Sequence, residues 1–495
     1  MKKGLIVIWI LLLISSVSCK DFLNLVPKNK RIVANVEDVK TEMLTYLAAI
    51  TYSAGLIQPS YGGSVFRFPL YNDMATRLCL YEDDIDMSYY SDHTDIDEKS
   101  MGVYTECIDW KGISIANVLW EKCYGAIGFM NVIIDDLEKA GGYTEAEYET
   151  IVGEAKTIRA YYIFKLIQFF APYQNDRLGI PLNLDSENVT PGDRRTQTEI
   201  YGIIERELKE VLEYTTPREK WNFFYSPSFV KSCLAEMYMF RAGSAAAKDT
   251  DWEMAEKYSG EVIASYVPEN RAELLMDMFS GESVSYIVEH PYCALKLATS
   301  RFFGIGNQST GIWGSNNAQQ VSSELWLMYE PEDIRRKAWF RENEDEGRVR
   351  RCISKPVVYY YGPVCDILVL YRKADLFLIN AEAKCRLGQE SEAARMIEDF
   401  RRARIPGYNT SVTGDILAEV LKERRLELCF ENGSRWLDMK RLGISCTRSG
   451  FDKESSGTKE YTLDANDYRY ALPIPTDIEL DYNDISQNPG WTNFN

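Results

Sequence analysis

Paired amphipathic segments constrain this chain most. ADLFLINAEAKCRLG over 374–388 is followed at once by SEAARMIEDFRRAR over 391–404. Both carry apolar residues three and four apart, the spacing that sets them on one face of an α-helix. A hairpin of two such helices buries its apolar faces only against neighbouring hairpins, so the chain needs an array of them. The same period recurs along the sequence. Val39, Met43, Leu47 and Ile50 predict a helix over 37–52; Cys123, Ile127, Met130, Ile134 and Leu137 predict one over 113–140, stopped by Gly141-Gly142. Ile151, Ala155, Ile158, Tyr162 and Leu166 predict a helix over 145–170, ending before Pro172. Thr196-Gln197-Thr198-Glu199 has capping-box spacing, in which side chain and backbone satisfy each other's free donors, and opens a helix to about Tyr214. Further helices are expected near 228–242, 252–265, 373–387, 391–404 and 415–431.

Two stretches interrupt the period. Residues 59–112 are rich in Gly, Pro, Asp and Tyr and hold the run YEDDIDMSYYSDHTDIDE; they predict loops with short helical turns. Residues 281–363 also read as irregular, with GIGNQSTGIWGSNN at 304–317 too polar and Gly-rich for a core element. No long Gly/Ser/Pro linker divides the chain, which favours one extended helical body over separate domains. Helical spacing is not a uniform repeat, so the array is degenerate and carries large irregular loops.

The first 19 residues, MKKGLIVIWILLLISSVSC, join two lysines, an apolar stretch from Leu5 to Ile14 and small residues before Cys19. This is the pattern of a signal peptide. The apolar stretch falls short of the ~20 residues that a membrane-spanning helix needs. Ser16-Val17-Ser18-Cys19 resembles a bacterial lipobox, which makes Cys19 the acylated first residue of the mature chain; cleavage elsewhere with ordinary secretion is the alternative. Several acyl chains on one cysteine anchor stably, since each buried methylene contributes ~0.8 kcal/mol. The other ten cysteines form no CxxC pair, so zinc and a small disulfide scaffold are not indicated. Buried free thiols are expected, although an exported location permits one or two disulfides.

The chain has 74 acidic and 56 basic residues, a formal charge of -18, which would repel a phosphate backbone and argues against nucleic acid. Chemistry is sparsely signalled. His93 and His290 are the only histidines, and no HExxH, GxSxG, GxxxxGK[ST] or phosphate-binding GxGxxG is present. No catalytic residue is assigned and no enzyme activity is expected. Glu82, Asp83, Asp84 and Asp86 with Asp92, Asp95 and Asp97 offer oxygen ligands suited to calcium, but without EF-hand spacing. A solvated acidic loop is the preferred reading; no cofactor is expected, with calcium as the alternative. Aromatic residues make up 13% of the chain, and those on loops suit recognition of sugar rings or peptide side chains.

Several motifs share an order along the chain. Cys19-Lys20-Asp21-Phe22-Leu23 follows the lipobox, and NVLWEKCYGAIGFMNVI spans 117–133. GEAKTIRAYYIFKLIQFF spans 153–170, with Ala171-Pro172 where a glycine is usual. SSELWLMYEPEDIRRKAWF over 322–340 sets Tyr329 before Asp333 and Arg335. ERRLELCFENGSRWLDMKRLG (423–443) has Asn432 before Gly433, and LPIPTDIELDYNDISQNPGW (472–491) has Tyr482-Asn483-Asp484 where an Asn-Pro pair is usual. Together with ADLFLINAEAKCRLG, these resemble the SusD/RagB family of outer-membrane nutrient-binding lipoproteins. From the residues alone, Glu423, Arg424, Glu427, Glu431 and Arg435 recur at ion-pair spacing and read as structural. The prolines of the last motif read as extended chain closing the fold.

The resemblance implies a mainly α SusD-like fold of degenerate tetratricopeptide-like helical hairpins with large loop insertions. It divides the chain into a lipoprotein signal peptide (1–18), an anchor and tether (19–36), an N-terminal helical region with loop insertion (37–280) and a C-terminal region (281–495), the last two packed as one body. It further implies a protein lipid-anchored in the outer membrane, facing the cell exterior, that captures a glycan and delivers it to a SusC-like TonB-dependent transporter. A peptide or other non-sugar nutrient, an anchored glycoside hydrolase and a scaffold that binds only protein are the alternatives. Binding is expected on the irregular face. The candidates are Tyr71, Tyr89, Tyr90 and Trp313 as stacking platforms, with Arg67, Asp73, Arg77 and Asn316 as hydroxyl or charge partners.

Overall fold

The computed structural model describes residues 34–51, 82–86, 115–187, 192–216, 224–265, 296–298, 320–345, 348–353, 367–452, 457–475 and 485–491. The first six expected helices form within a residue or two of their sequence bounds. They are α1 (Val36–Thr51), followed after β1 (Ile85–Asp86) by α2 (Ile115–Ala140), α3 (Glu145–Phe170), α4 (Gln197–Glu213), α5 (Pro227–Arg241) and α6 (Asp251–Ala264). Each packs on the next in the chain. At α4 the capping box is present as the spacing requires: the Thr196 hydroxyl accepts the Glu199 N–H, and the Glu199 carboxylate accepts the Thr196 N–H at 2.9 Å.

Helix α3 is the central element, with 20 of its 26 residues buried. Its apolar residues alone predict one buried stripe, but Glu154, Arg159, Lys165 and Gln168 are buried too. Each has a partner from elsewhere in the chain. Glu154 accepts the Tyr225 N–H at 2.7 Å, Arg159 pairs with Glu207 at 2.6 Å and donates to Asn131 at 2.7 Å, and Lys165 pairs with Glu236 at 3.0 Å. Pro172 disfavours a helical Ala171, which is extended instead of forming a left-handed glycine cap. The free carbonyls at that helix end then need other donors. Lys440 supplies Gln168 and Ala171 at 2.6 and 2.8 Å, the Leu472 N–H supplies Phe169 at 2.8 Å, and Asn488 supplies Phe170 at 2.7 Å.

Next come β2 (Lys296–Ala298), β3 (Gln320–Val321), α7 (Ser323–Met328), α8 (Ile334–Trp339), β4 (Phe340–Asp345), β5 (Arg348–Ile353) and β6 (Ile367–Val369). The expectation that 281–363 is irregular is therefore corrected for its described part. FRENED and RVRRCI pair in antiparallel register from Phe340↔Ile353 to Asp345↔Arg348. Their acid–base alternation masks the strand period, because the apolar partner of Phe340 lies across the hairpin. The sheet order is β1-β3-β5-β4, and β2 pairs separately with β6. Ile85, Val321, Leu325, Trp326, Phe340 and Ile353 bury its inner face.

Helices α9 (Lys373–Arg386), α10 (Glu390–Arg402) and α11 (Ile416–Leu428) complete the array, α9 packing back on α6. Leu378, Ile397, Phe400 and Val420 form their shared core. A further helix, α12 (Ser434–Leu442), follows a tight turn in which Phe430, Asn432 and Gly433 have left-handed backbone. Asparagine tolerates that conformation, which accounts for Asn432 before the glycine. The chain ends in a hairpin of β7 (Cys446–Asp452) and β8 (Gly457–Leu463) and an extended tail. Gln487 bonds both backbone groups of Ile474 at 2.8 Å, and Trp491 donates to the Ala471 carbonyl at 2.9 Å. At Gly490, φ +89°, a side chain would collide with the Tyr468 ring. The tail closes the fold, as its prolines suggest. Cys123, Cys233, Cys429 and Cys446 are buried free thiols, and Cys385 is a partly buried one.

Candidate functional site

Arg67, Tyr71, Asp73, Arg77, Tyr89, Tyr90, Trp313 and Asn316 all lie outside the described residues, as do Cys19, Asp92, Asp95 and Asp97. Within the stretch that holds six of those eight candidates, the structure describes residues 82–86, and these are tied to the scaffold.

The acidic run does not behave as a solvated loop here. Glu82, Asp83 and Asp84 are 1%, 7% and 0% exposed. Arg435, at the start of α12, grips Asp83 with two hydrogen bonds of 2.8 and 2.6 Å. Arg425 of α11 bonds Asp84 at 2.8 Å and reaches Glu324 at 2.7 Å. Glu82 accepts the Trp436 N–H at 3.1 Å. That N–H belongs to the first turn of α12, whose N-cap Gly433 has no side chain to satisfy it. Thus Glu82 caps a helix more than 350 residues away. The solvated-loop expectation fails because composition shows the charges and not their distant guanidinium partners.

The charges in this cluster are unequal. Burial, with Asp84 and then Asp83 as further negative neighbours, pushes the Glu82 carboxyl up to about 8. Burial also drives Asp83 upward, but its hydrogen bond and charge contact with Arg435 outweigh this and hold it below the ordinary value. Asp84 is raised by burial, partly offset by Arg425. The arrangement therefore favours a proton on Glu82 at neutral pH, with Asp83 held ionised.

Beside β1 the sheet continues the frame. The Ser322 N–H donates to the Asp84 carbonyl at 2.8 Å, and Ile85 pairs with Val321. The Trp326 ring lies between the guanidiniums of Arg336 and Arg351, 4.1 and 4.7 Å from its centroid. Such contacts contribute about 0.5–2 kcal/mol each and stiffen the sheet beside residues 82–86.

The other buried charges belong to the scaffold. Glu427 receives Arg372, Arg404 and Arg335 at 2.7, 2.7 and 3.1 Å. Glu423 receives Arg401 and Arg335, and Glu431 receives Arg372. Tyr329 donates to the Leu426 carbonyl at 2.6 Å, and Arg335 also bonds Asp333 at 2.7 Å. The motif charges of 423–435 thus join different helices, as their structural reading requires. Among the described residues, no group of three or more His, Cys, Asp or Glu is placed to hold a metal ion, and no helix is long and apolar enough to cross a membrane.

Comparison with known proteins supplies the rest. Residues 365–491 match the model described as SusD family, and residues 21–231 match one described as starch-binding associating with outer membrane. A SusD-like protein of Formosa agariphila is 24% identical over 382 residues, 65% of this chain and 71% of that protein. A SusD superfamily structure from Bacteroides thetaiotaomicron superposes with a TM-score of 0.67 at 20% identity, covering 92% of this chain and all of that one. A SusD-like carbohydrate binding protein from Bacteroides vulgatus gives 0.65 at 18% identity, covering 90% and 96%. Surface glycan-binding protein A from Bacteroides uniformis gives 0.66 at 17% identity, covering 91% and 99%. These structures share the tetratricopeptide-like helical fold. The two model matches, in the order of the motifs and together taking in more than half of the sequence, show that the chain belongs to the SusD/RagB family.

Proposed function

We propose that this protein is a cell-surface lipoprotein, anchored through Cys19, that binds a nutrient glycan and passes it to a SusC-like TonB-dependent transporter. One observation carries the reading: the starch-binding, outer-membrane-associating model matches residues 21–231, a span that begins two residues after Cys19 and contains the aromatic-rich stretch 59–112. The carbohydrate- and glycan-binding names of two structural relatives support it. So does the anchoring of residues 82–86, which ties the chain between Arg77 and Tyr89 to α11 and α12. Loop recognition groups held by a rigid scaffold suit capture without covalent change. The transporter completes the site in this reading and raises the effective ligand concentration, so weak affinity in solution is compatible with uptake. Calcium enters the reading only with Asp86, Asp92, Asp95 or Asp97 as its ligands, since Glu82, Asp83 and Asp84 are turned to α11 and α12.

Calorimetric titration of residues 20–495 with a panel of oligosaccharides and peptides tests this. The expected result is saturable heat with one glycan class, abolished by Trp313→Ala. Saturable heat with peptides alone would replace glycan by peptide, and release of shorter sugars from a polysaccharide would make the protein a hydrolase.

A further inference from the structure

Where α3 and α5 meet α9, α11 and α12 lies a cavity of about 20 Å³. Two sets of charged groups face it. On one side Glu236 accepts from Lys165, from Gln168 at 2.9 Å and from the Tyr371 hydroxyl at 2.5 Å. On the other, Arg424 bonds Asp438 at 2.9 Å and Asp375 at 2.7 Å, and Arg441 ties Asp438 to Glu382. No hydrogen bond links Glu236 to Asp375, although each is near enough to act on the other's charge.

The hydrogen-bond account of the second set does not close. Arg424 uses Nε and Nη1 and Asp375 uses Oδ1; among the described residues, none bonds Arg424 Nη2, Asp375 Oδ2 or the Ser434 hydroxyl. All three residues line the cavity. Arg424 is buried and Asp375 and Ser434 are partly buried; polar groups without partners there are costly, whereas a water needs only about 10–15 Å³ and two to four polar partners. We propose that this cavity is a permanent hydration site, holding one or two waters that accept from Arg424 Nη2 and donate to Asp375 Oδ2. Water there bridges the Glu236 set, built mostly from α3 and α5, to the Asp375 set built from α9, α11 and α12. The boundary between the two halves of the fold is then wet at a charged point. The surrounding charges are balanced, with Lys165, Arg424 and Arg441 against Glu236, Asp375 and Asp438.

The test is a crystal structure of the chain at a resolution that shows ordered water, from crystals grown in sodium and in rubidium salts. A peak within hydrogen-bond distance of Arg424 and Asp375, without anomalous signal in rubidium, is expected. An empty cavity, or a rubidium signal marking a cation, overturns the proposal. In solution, magnetic relaxation dispersion should count at least one long-lived water fewer in Leu437→Phe, which fills the cavity, than in the parent; Leu437→Met serves if the larger residue prevents folding. Equal counts in a folded, cavity-filled variant would also overturn it.

Discussion

The two ends of the helical array are held together by different physics. Around α3 the contacts are mainly apolar, with Ile158, Tyr161, Phe164 and Leu166 fully buried among α2, α4 and α5 beside a few buried ion pairs such as Arg159 with Glu207. Around α11 the contacts are ionic, with Glu427 taking three arginines from α8, the approach to α9 and the end of α10. Apolar burial is non-directional and scales with area, about 25 cal/mol per Å². A buried ion pair adds little net stability over a well-packed apolar pair, because desolvation opposes the attraction. What it adds is geometry. A guanidinium with fixed donors accepts few arrangements, so the C-terminal helices are set in register while the N-terminal ones are set by volume.

Removing one member from each region tests that contrast most strongly. Glu427→Gln leaves three buried guanidiniums short of charge and should cost at least about 3–5 kcal/mol. Leu166→Ala should cost about 2–5 kcal/mol through lost burial and a cavity. The two should part with pH. The Glu427 carboxyl is held well below its ordinary range by arginine charge that overcomes burial. Its contribution is therefore whole above about pH 4.5 and is lost as pH falls further. Denaturant unfolding at pH 7 and pH 4 should show the Glu427→Gln deficit shrinking in acid and the Leu166→Ala deficit unchanged; equal responses would erase the distinction.

Glu82 carries the opposite sign. Its folded value, about 8, lies above that of an unfolded glutamate. The protein therefore loses stability as pH rises from about 4.5 through about 8, and the loss then levels off. Glu82→Gln, which stays neutral and can still accept the Trp436 N–H, should abolish that slope. At pH 8 it should be more stable than the parent by on the order of 3 kcal/mol, and at pH 4 no different. Thermal melting across this range would show it, and parallel curves for the two proteins would mean that Glu82 is ionised throughout.

The smallest effect belongs to a local device. Thr196→Ala should cost about 1 kcal/mol by freeing the donors at the start of α4. A local hydrogen-exchange measurement should place the loss in α4, with no change across the ionic region.

These contrasts also explain what was legible in the sequence. Periodicity located α2 and α3 because Ile127, Met130, Ile151 and Ile158 repeat at helical spacing, and Thr196 with Glu199 marked an end by contacts three residues apart. The buried charges of α3 could not be read that way, because Glu154 answers to Tyr225 and Lys165 to Glu236. The same blindness made Glu82, Asp83 and Asp84 look like a solvated run, while their partners stand at Arg425, Arg435 and Trp436. Helix α12 escaped notice because its start is set by left-handed backbone and a remote cap, neither of which leaves a local pattern. The candidate ligand residues rest on residue type and resemblance, because recognition loops lack the repeat that marks a helix.

The cap that Glu82 places on α12 also sets an order of events. The contact joins positions 82 and 436, so it forms only when nearly the whole chain is available. Closing so long a loop is slow and entropically opposed, whereas α2, α3 and α4 meet through short connections. A chain made from its N-terminus can build most of the array before the segment between Arg77 and Tyr89 has anything to hold. The described segment 82–86 is then among the last parts of the fold to be fixed, and its contact doubles as a check that the C-terminal helices have arrived.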